Sequence, residues 1–211
     1  CVALEECAVE SAGFAAALLF HNAALVPLVY TDRKDLVEEF TSGKPLATTA
    51  TSGSLKLEGE RLSGKATFVF NVLEGCPVLV FPESPTGQEV VYVKTDYPGV
   101  SVKRDPYPLG WRVSAFASLD LSGAEPYFAL KEFQREAKMA TERVLYLGLA
   151  AISVGIARKS FEKAYAYARQ RYQGGKIIIE HQAMRMMLAR MLCGIEEGKA
   201  AIRRACEVEE L

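Results

Sequence analysis

The chain has 211 residues, of which 50% are hydrophobic and 24% are charged, and its formal net charge is −1. This length and apolar content suffice for one or two compact cores, and the near-neutral charge gives no reason to expect a nucleic-acid partner. The five cysteines form no CxxC pair and there are two histidines, so the sequence predicts no metal site and favours a reducing compartment.

Residues 1–40 are predicted to be helical, because apolar side chains recur among small alanines at helical spacing. Their apolar stretch, AGFAAALLFHNAALVPLVY, is interrupted by His21, Asn22 and Pro27 and follows acidic residues. It therefore fits neither a signal peptide nor a membrane span. The chain begins at Cys1 instead of Met, which predicts a processed or partial polypeptide.

Residues from about 45 to 122 are predicted to form short β-strands, since β-branched and aromatic runs such as ATFVFN, PVLVF and EVVYVK are separated by turn residues. In SLKLEGERLSG, Leu55 and Leu57 alternate with polar neighbours, and Glu58-Gly59 predicts a hairpin turn. This pattern indicates a small antiparallel β domain.

The C-terminal part is predicted to consist of long helices, because all nine prolines lie at or before Pro126. A helical run of roughly 45 residues follows Pro126, and we expect Gly174-Gly175 to end it. A second helix is predicted from near Ile179 to the last residue, with Met184, Met187, Leu188 and Met191 as its buried stripe. The chain is thus predicted to be α+β, with sections at 1–44, 45–125 and 126–211.

The order of these sections, together with YARQRYQGGKIIIEHQAM, resembles the acyl-CoA dehydrogenase family of flavoproteins. LEGERLSGKATFVFN looks like the family's gly-x-x-leu-x-gly-x-lys stretch and the flavin-facing strand that ends in Asn. TERVLYLGLAAISVGIARKSFEKAYAYARQRYQGGKIIIEHQ is similar to its long helix, Arg-bearing turn and following Gln. The resemblance implies the end of an N-terminal helical domain, a middle antiparallel β domain and an incomplete C-terminal helical bundle.

The resemblance also implies a reaction, the oxidation of an acyl-CoA thioester to its 2,3-enoyl form with FAD as hydride acceptor. Glu142 in TERVLYLG stands where one branch of the family places its catalytic base, and Arg143 beside it is assigned to substrate binding. A carboxylate on an apolar helix face suits proton abstraction, because an entering acyl chain would desolvate it. The ordinary alternative is an i,i+4 ion pair between Lys138 and Glu142 on a solvated helix face.

The turn between the two long helices is assigned to the cofactor by the same resemblance. It implies that Arg171 contacts the FAD pyrophosphate of a neighbouring subunit and that Gln182 contacts the same cofactor. The alternative is a Gly-Gly helix C-cap with Arg171 at the negative end of the helix dipole. Gly174 replaces an aromatic residue that covers the adenine in the family, and His181 is predicted to start the next helix or to pack, without a chemical role.

The predicted β domain departs from the family at the flavin ring. Phe68 and Phe70 replace the family's Trp, which covers the ring, and its hydroxyl residue, which bonds near N5. Phe68 can still stack on a flavin, whereas Phe70 has no donor. The loop GKPLATTATSGSLKLEG is too short for the family's flavin-gripping turn. Four hydroxyls can replace some of its donors, or form a plain surface loop: Thr48, Thr49, Thr51 and Ser52.

Two functions follow from the resemblance. The chain is an FAD-dependent acyl-CoA dehydrogenase or a subunit of one, or it is a degenerate, flavin-poor partner that is structural or binds CoA esters in a hetero-oligomer. An unrelated α+β scaffold is the third alternative. The first two imply an acyl-CoA substrate, a homo- or hetero-oligomer and an electron-transfer flavoprotein as acceptor. We expect a cytoplasmic location, or the mitochondrial matrix if the source is eukaryotic.

Overall fold

A computed structural model describes residues 1–42, 44, 46–104 and 110–208, and these residues form an α+β fold. The α-helices are α1 (Val2–Glu10), α2 (Ala12–Leu25), α3 (Lys34–Thr41), α4 (Gln134–Ala168) and α5 (Gln182–Glu207). The strands are β1 (Thr48–Thr49), β2 (Ser52–Glu58), β3 (Arg61–Val69), β4 (Pro77–Val80), β5 (Glu83–Ser84), β6 (Gly87–Gln88), β7 (Val91–Lys94), β8 (Val100–Arg104), β9 (Ala117–Ala124), β10 (Phe128–Ala129), β11 (Tyr172–Gln173) and β12 (Lys176–Ile177). The predicted α+β class is confirmed, but the β domain is not purely antiparallel as predicted, because β1 pairs with β4 and β2 with β5 in parallel.

The chain packs into two compact units, and α2 and α4 each run through both of them. The helical unit comprises residues 1–15 and 146–211, and the β unit comprises residues 16–145. The domain boundaries predicted after residues 44 and 125 mark changes of secondary structure, whereas these two units are defined by packing. The predicted boundaries are therefore not tested and stay a prediction. Pro45, the first residue of the predicted β domain, and residues 209–211, the predicted end of the last helix, lie outside the described residues.

Two sheets form the centre of the β unit. One has four strands in the order β1-β4-β7-β10, and the other has six in the order β6-β5-β2-β3-β9-β8. The β2–β3 pair is antiparallel and places Glu58 opposite Arg61, so Gly59, with a φ of 61°, lies in the turn. The predicted hairpin and the inward alternation of Leu55 and Leu57 are therefore confirmed, but the two turn residues are Gly59 and Glu60 and not Glu58 and Gly59.

The central strands β4 and β7 of the four-stranded sheet are buried on both faces, which explains their apolar sequences. Val78 and Val80 of β4 contribute to an apolar core shared with the six-stranded sheet. Leu79, between them, points to the other face and joins a second core with Phe40 of α3 and Ala137 of α4. Because side chains alternate along a strand, one short strand supplies both cores.

In the helical unit, α1 packs closely on α4. Gly155 is buried at this crossing, where an added Cβ would lie 2.7 Å from the Cβ of Ala8 and would also collide with the Glu5 carbonyl oxygen. Glu5 and Glu6 form ion pairs with Arg158, with N–O distances of 2.7 and 2.6 Å. A small residue and a charged clamp therefore fix the position of α1 on α4.

The sequence predicted that the double glycine, Gly174-Gly175, ends the long helix, and this prediction is wrong. Helix α4 ends at Ala168, and residues 172–177 form a hairpin in which Gln173 pairs with Lys176. Gly174 and Gly175 are its two-residue turn, with φ angles of 67° and 82°. Two consecutive positive φ angles are what a type I′ hairpin turn requires, and glycine adopts them without strain. The helical C-cap interpretation is therefore wrong.

The predicted buried stripe on α5 is also wrong in part. Leu188 is buried, but Met187 and Met191 are 59% and 37% exposed. The second buried residue of α5 is Ile195, which was not predicted and lies seven residues, about two helical turns, after Leu188. The two methionines flank the line through these two residues and remain exposed to solvent.

Two helical stretches, Ala12–Tyr30 and Gln134–Ala168, are long and apolar enough to cross a membrane by length and composition alone. This is weak evidence for a membrane span, because core helices of other proteins satisfy the same criteria.

Candidate functional site

The hairpin between α4 and α5 is held by hydrogen bonds at both ends. At its base, the Ile178 amide donates to the Arg171 carbonyl oxygen at 2.8 Å. At its tip, the Tyr172 hydroxyl donates to the Gly175 carbonyl oxygen at 2.6 Å. His181 Nε2 lies 3.0 Å from the Gln173 carbonyl oxygen, which accepts its proton. The segment that carries Arg171 is therefore a defined structure and not an open loop.

His181 explains why glycine occupies position 174. An added Cβ at Gly174 would lie 3.2 Å from Cε1 and 3.3 Å from Nε2 of the His181 ring. An aromatic side chain there would need a left-handed backbone and would displace the ring. His181 is also the N-cap residue of α5, so its predicted place at the helix start is confirmed.

Arg171 and Gln182 present exposed side chains on either side of the hairpin. Among the residues that the structure describes, none forms an ion pair or a side-chain hydrogen bond with either of them. Arg158 in the same unit is different, since the hydrogen bonds that it donates to the Glu6 and Glu5 carboxylates hold the pKa of its guanidinium above the usual value. An exposed guanidinium without an internal carboxylate partner keeps its donors available for an anion.

Glu142 lies on α4 within the β unit and is half-buried. Its Oε1 is 3.4 Å from Lys138 Nζ, so the ion pair predicted as the ordinary alternative is present. Lys138 also donates to Gln88 Oε1 on β6. Arg143, the next residue, is exposed. The two assignments to catalysis and substrate binding stay predictions.

Phe68 lies at an irregularity in the β3–β9 pairing, where the register shifts between Ala66 and Val69. Its φ of 56° is unusual for a bulky residue, and its side chain is 61% exposed. The bulge turns the ring outward, where a planar ligand can stack on it.

Phe70 instead belongs to an aromatic cluster that sequence reasoning missed. Its ring stacks on Phe20 at a centroid distance of 4.4 Å and makes edge contacts with Trp111 at 5.2 Å and Phe116 at 5.1 Å. Phe20, Phe70 and the Trp111–Phe116 stretch lie far apart in the sequence, and no local pattern links them. Because the ring is packed on three sides and has no donor, position 70 supports packing and not hydrogen bonding.

Two hydroxyls predicted as replacement donors are buried. Thr48 and Thr49 are fully inaccessible to solvent. The Thr49 hydroxyl is 3.4 Å from the Phe20 carbonyl oxygen, to which it donates. Neither can reach a ligand at the surface, so the prediction that they replace flavin donors is wrong; Thr51 and Ser52 are exposed. The Asn71 side chain donates to the Ala17 carbonyl oxygen at 3.0 Å and so ties the end of β3 to α2.

The side chains described above suit one part of an FAD molecule and not another. Arg171 supplies a positive charge and Gln182 an amide donor, and both are exposed beside the glycine turn, so they suit a phosphate group. Phe68 suits stacking, but Phe70 cannot donate to the flavin ring and is held in its cluster. The residues present therefore fit the phosphate end of the cofactor and do not fit the hydrogen bonding of its ring. The hairpin residues lie in the helical unit, and Phe68, Phe70 and Glu142 lie in the β unit.

An N-terminal helical segment, a two-sheet β unit and two long helices define the class of fold. The family model for the acyl-CoA dehydrogenase C-terminal domain matches residues 136–210. Glutaryl-CoA dehydrogenase from Mycobacterium smegmatis superposes on the chain with a TM-score of 0.83 at 19% identity, covering 96% of this chain and 58% of that one. The resemblance is thus confirmed: the C-terminal third of the chain matches the family model, and the chain has the fold of acyl-CoA dehydrogenases over 58% of the superposed structure's length.

Two curated relatives match shorter stretches. The chain is 36% identical over 70 residues to a subunit of the caffeyl-CoA reductase–Etf complex of Acetobacterium woodii, which covers 33% of this chain and 18% of that subunit. It is 30% identical over 122 residues to a probable short/branched chain specific acyl-CoA dehydrogenase of Dictyostelium discoideum, which covers 56% of this chain and 30% of the relative. The matches therefore span less than a third of either relative.

Proposed function

We propose that this chain is a subunit of an acyl-CoA dehydrogenase-type oxidoreductase and contributes its hairpin to an FAD whose ring is held by a neighbouring, different chain. The observation that carries the proposal is the exposed Arg171 guanidinium, which has no carboxylate partner among the described residues. It stands at the base of a hairpin fixed by the bond between Ile178 and Arg171. A fixed backbone reduces the entropy lost when the guanidinium binds a phosphate group.

The side chains of the β unit support the proposal that the flavin ring is held by another subunit. Phe70 stands at the position expected to donate to the flavin, and its ring, which contacts Phe20, Trp111 and Phe116, has no donor. In such an assembly the bound flavin would supply the hydride acceptor. This chain would supply charge to the pyrophosphate through Arg171 and an amide through Gln182.

The visible absorption spectrum tests this arrangement. We expect the tagged chain isolated alone to show no flavin band, and the same chain isolated with the subunits of its source cells to show one. A flavin band of stoichiometric size from the chain alone would contradict the assignment of the ring to another subunit. Absence of flavin from both preparations would contradict the redox function.

Assembly is supported by the apolar surface of α5. Met186, Met187, Met191 and Leu192 are 37–59% exposed on this helix, and exposed apolar patches commonly mark interfaces. Sedimentation velocity of the chain isolated from its source cells is expected to show more than one chain per particle. A monodisperse monomer would contradict an obligate oligomer.

The relative from the caffeyl-CoA reductase–Etf complex supports an electron-transfer flavoprotein as the class of electron acceptor.

A second candidate is that the chain itself takes the α-proton of an acyl-CoA through Glu142. It is favoured by the half-buried place of this carboxylate on α4, where Oε1 faces Lys138 and Oε2 has no hydrogen bond to the described residues. Glu142→Gln is expected to abolish exchange of the α-proton of a bound short-chain acyl-CoA with deuterium. Glu136→Gln, an exposed change on the same helix, is the matched control. Equal exchange in both variants would eliminate Glu142 as the base.

A further inference from the structure

Two exposed cysteines lie side by side in the helical unit although they are far apart in the sequence. Cys1 precedes α1, Cys206 is in the last turn of α5, and their sulfur atoms are 3.5 Å apart at a sequence separation of 205. The Cys1 thiol also lies 3.9 Å from the Leu147 carbonyl oxygen on α4. Both cysteines line one cavity of about 450 Å³, together with charged residues that include Glu5, Arg158 and Lys199.

The helices that carry the two thiols are held in place by packing and charge. The ion pairs of Arg158 with Glu5 and Glu6 fix α1 on α4, and Lys199 of α5 lies 3.9 Å from Glu5. A disulfide requires a sulfur–sulfur distance of about 2.05 Å, so the two sulfurs must approach by about 1.5 Å. A side-chain movement of this size is small for exposed cysteines at helix ends.

The other cysteines are arranged differently. Cys76 is buried, and desolvation raises the pKa of its thiol. Cys7 is half-buried, and Cys193 is exposed on α5 without a second sulfur beside it among the described residues. The residues that the structure describes also contain no group of three or more His, Cys, Asp or Glu side chains able to hold a metal ion. The paired thiols are therefore better suited to redox chemistry than to metal binding.

We propose that Cys1 and Cys206 form a reversible intramolecular disulfide by exchange with low-molecular-weight disulfides of the glutathione class. One thiolate attacks a sulfur of the small disulfide, forms a mixed disulfide and releases one small thiol. The second cysteine thiolate then attacks the protein sulfur of that bond and releases the other small thiol. The two protein thiols are oxidised and lose two protons, and one small disulfide is reduced to two thiols. The product joins α1 covalently to the end of α5.

The pairing distinguishes this site from ordinary thiol modification. A lone exposed cysteine such as Cys193 stops at the mixed disulfide, whereas a neighbouring thiol resolves it to an internal bond. In a reducing compartment such bonds are usually transient and report on the redox state. The bond would close a loop of about two hundred residues and so restrict the unfolded chain strongly.

The test is oxidation of the folded chain with oxidised glutathione, followed by thiol titration and peptide mass spectrometry without reductant. We expect Cys1 and Cys206 to be consumed first and to yield one linked pair of peptides, so that the titrated thiols fall from five to three before Cys193 reacts. Dithiothreitol should restore all five. The Cys193→Ser variant is the matched control and should give the same linked peptides.

Two variants test the second step, in which the second cysteine attacks the mixed disulfide. Cys1→Ser and Cys206→Ser should each retain glutathione on the remaining partner and form no linked peptide, and both remove an exposed thiol with little effect on folding. Unfolding the wild-type chain in urea before oxidation should scramble the linkages, since the fold brings the sulfurs together. The proposal is overturned if the folded wild-type chain carries glutathione on both cysteines without a link, links them only between chains, or leaves both unmodified.

Discussion

Substitution of Gly155 tests the close packing of α1 on α4. In an isolated helix, Gly→Ala is favourable by about 1 kcal/mol, because alanine loses less backbone entropy on folding. At Gly155 the new methyl group would lie 2.7 Å from the Ala8 Cβ and would meet the Glu5 carbonyl oxygen, which belongs to the backbone. It cannot be accommodated by a rotamer change, so α1 must move away from α4.

Overpacking of a buried site typically costs about 1–3 kcal/mol, which exceeds the gain in helix propensity. We therefore expect Gly155→Ala to lower the free energy of unfolding of the chain by about 1–2 kcal/mol. Gly194→Ala is the matched control, because Gly194 is exposed on α5 and has no atom within 4 Å of an added Cβ. That variant should raise the free energy of unfolding by about 0.5–1 kcal/mol.

The assay is urea denaturation followed by far-ultraviolet circular dichroism, with the midpoints of the two variants compared at similar slopes. Opposite shifts of the two midpoints are expected. If Gly155→Ala stabilises the chain as much as Gly194→Ala does, α1 does not lie against α4 at this point, and the location of Cys1 beside Cys206 loses its support as well.

Two further predictions concern the β unit. Tyr92→Phe should destabilise the chain by about 1–2 kcal/mol in the same assay, because the Tyr92 hydroxyl that donates to the buried Ala24 carbonyl oxygen at 2.6 Å is lost. Tyr146→Phe, the control at an exposed position, should have no effect. The hydrogen bond from Arg33 lowers the pKa of Asp35 to about 2, so its contribution to stability is present above pH 3.8 and is lost as the pH falls through about 2. Carboxyl-carbon NMR titration should show this midpoint, and Arg33→Ala should return it toward 3.8; an unchanged midpoint would refute the pairing.

Much of the fold could be predicted because its signals are local. Alternation at Leu55 and Leu57 predicted the β2–β3 hairpin, and the distribution of proline predicted the long helices after Pro126. The Gly174-Gly175 pair was misassigned because a helix C-cap and a type I′ hairpin turn both use glycine at positive φ. Only the pairing of the flanking residues distinguishes them, and that pairing depends on where α4 ends.

The candidate site was predictable to a smaller extent, because its decisive contacts are not local. Phe70 could be recognised as a residue without a donor, but its packing against Phe20 and Trp111 depends on the tertiary fold. The burial of Thr48 likewise follows from its place in the four-stranded sheet, which its polar sequence context conceals. The adjacency of Cys1 and Cys206 has no sequence signal, since 205 residues separate them.

We have proposed that Arg171 binds the phosphate bridge of a flavin held mainly by another subunit. The most direct measurement is the flavin content of the assembly isolated with the wild-type chain, with Arg171→Ala and with Arg169→Ala. Arg169 is an exposed arginine at the end of α4 that lies over the Tyr165 ring, so its removal changes the net charge equally. We predict that Arg171→Ala lowers the flavin content roughly tenfold or more, as expected from losing a charge-assisted contact worth about 1.5–3 kcal/mol, while Arg169→Ala retains the flavin. Equal flavin content in both variants would contradict the claim.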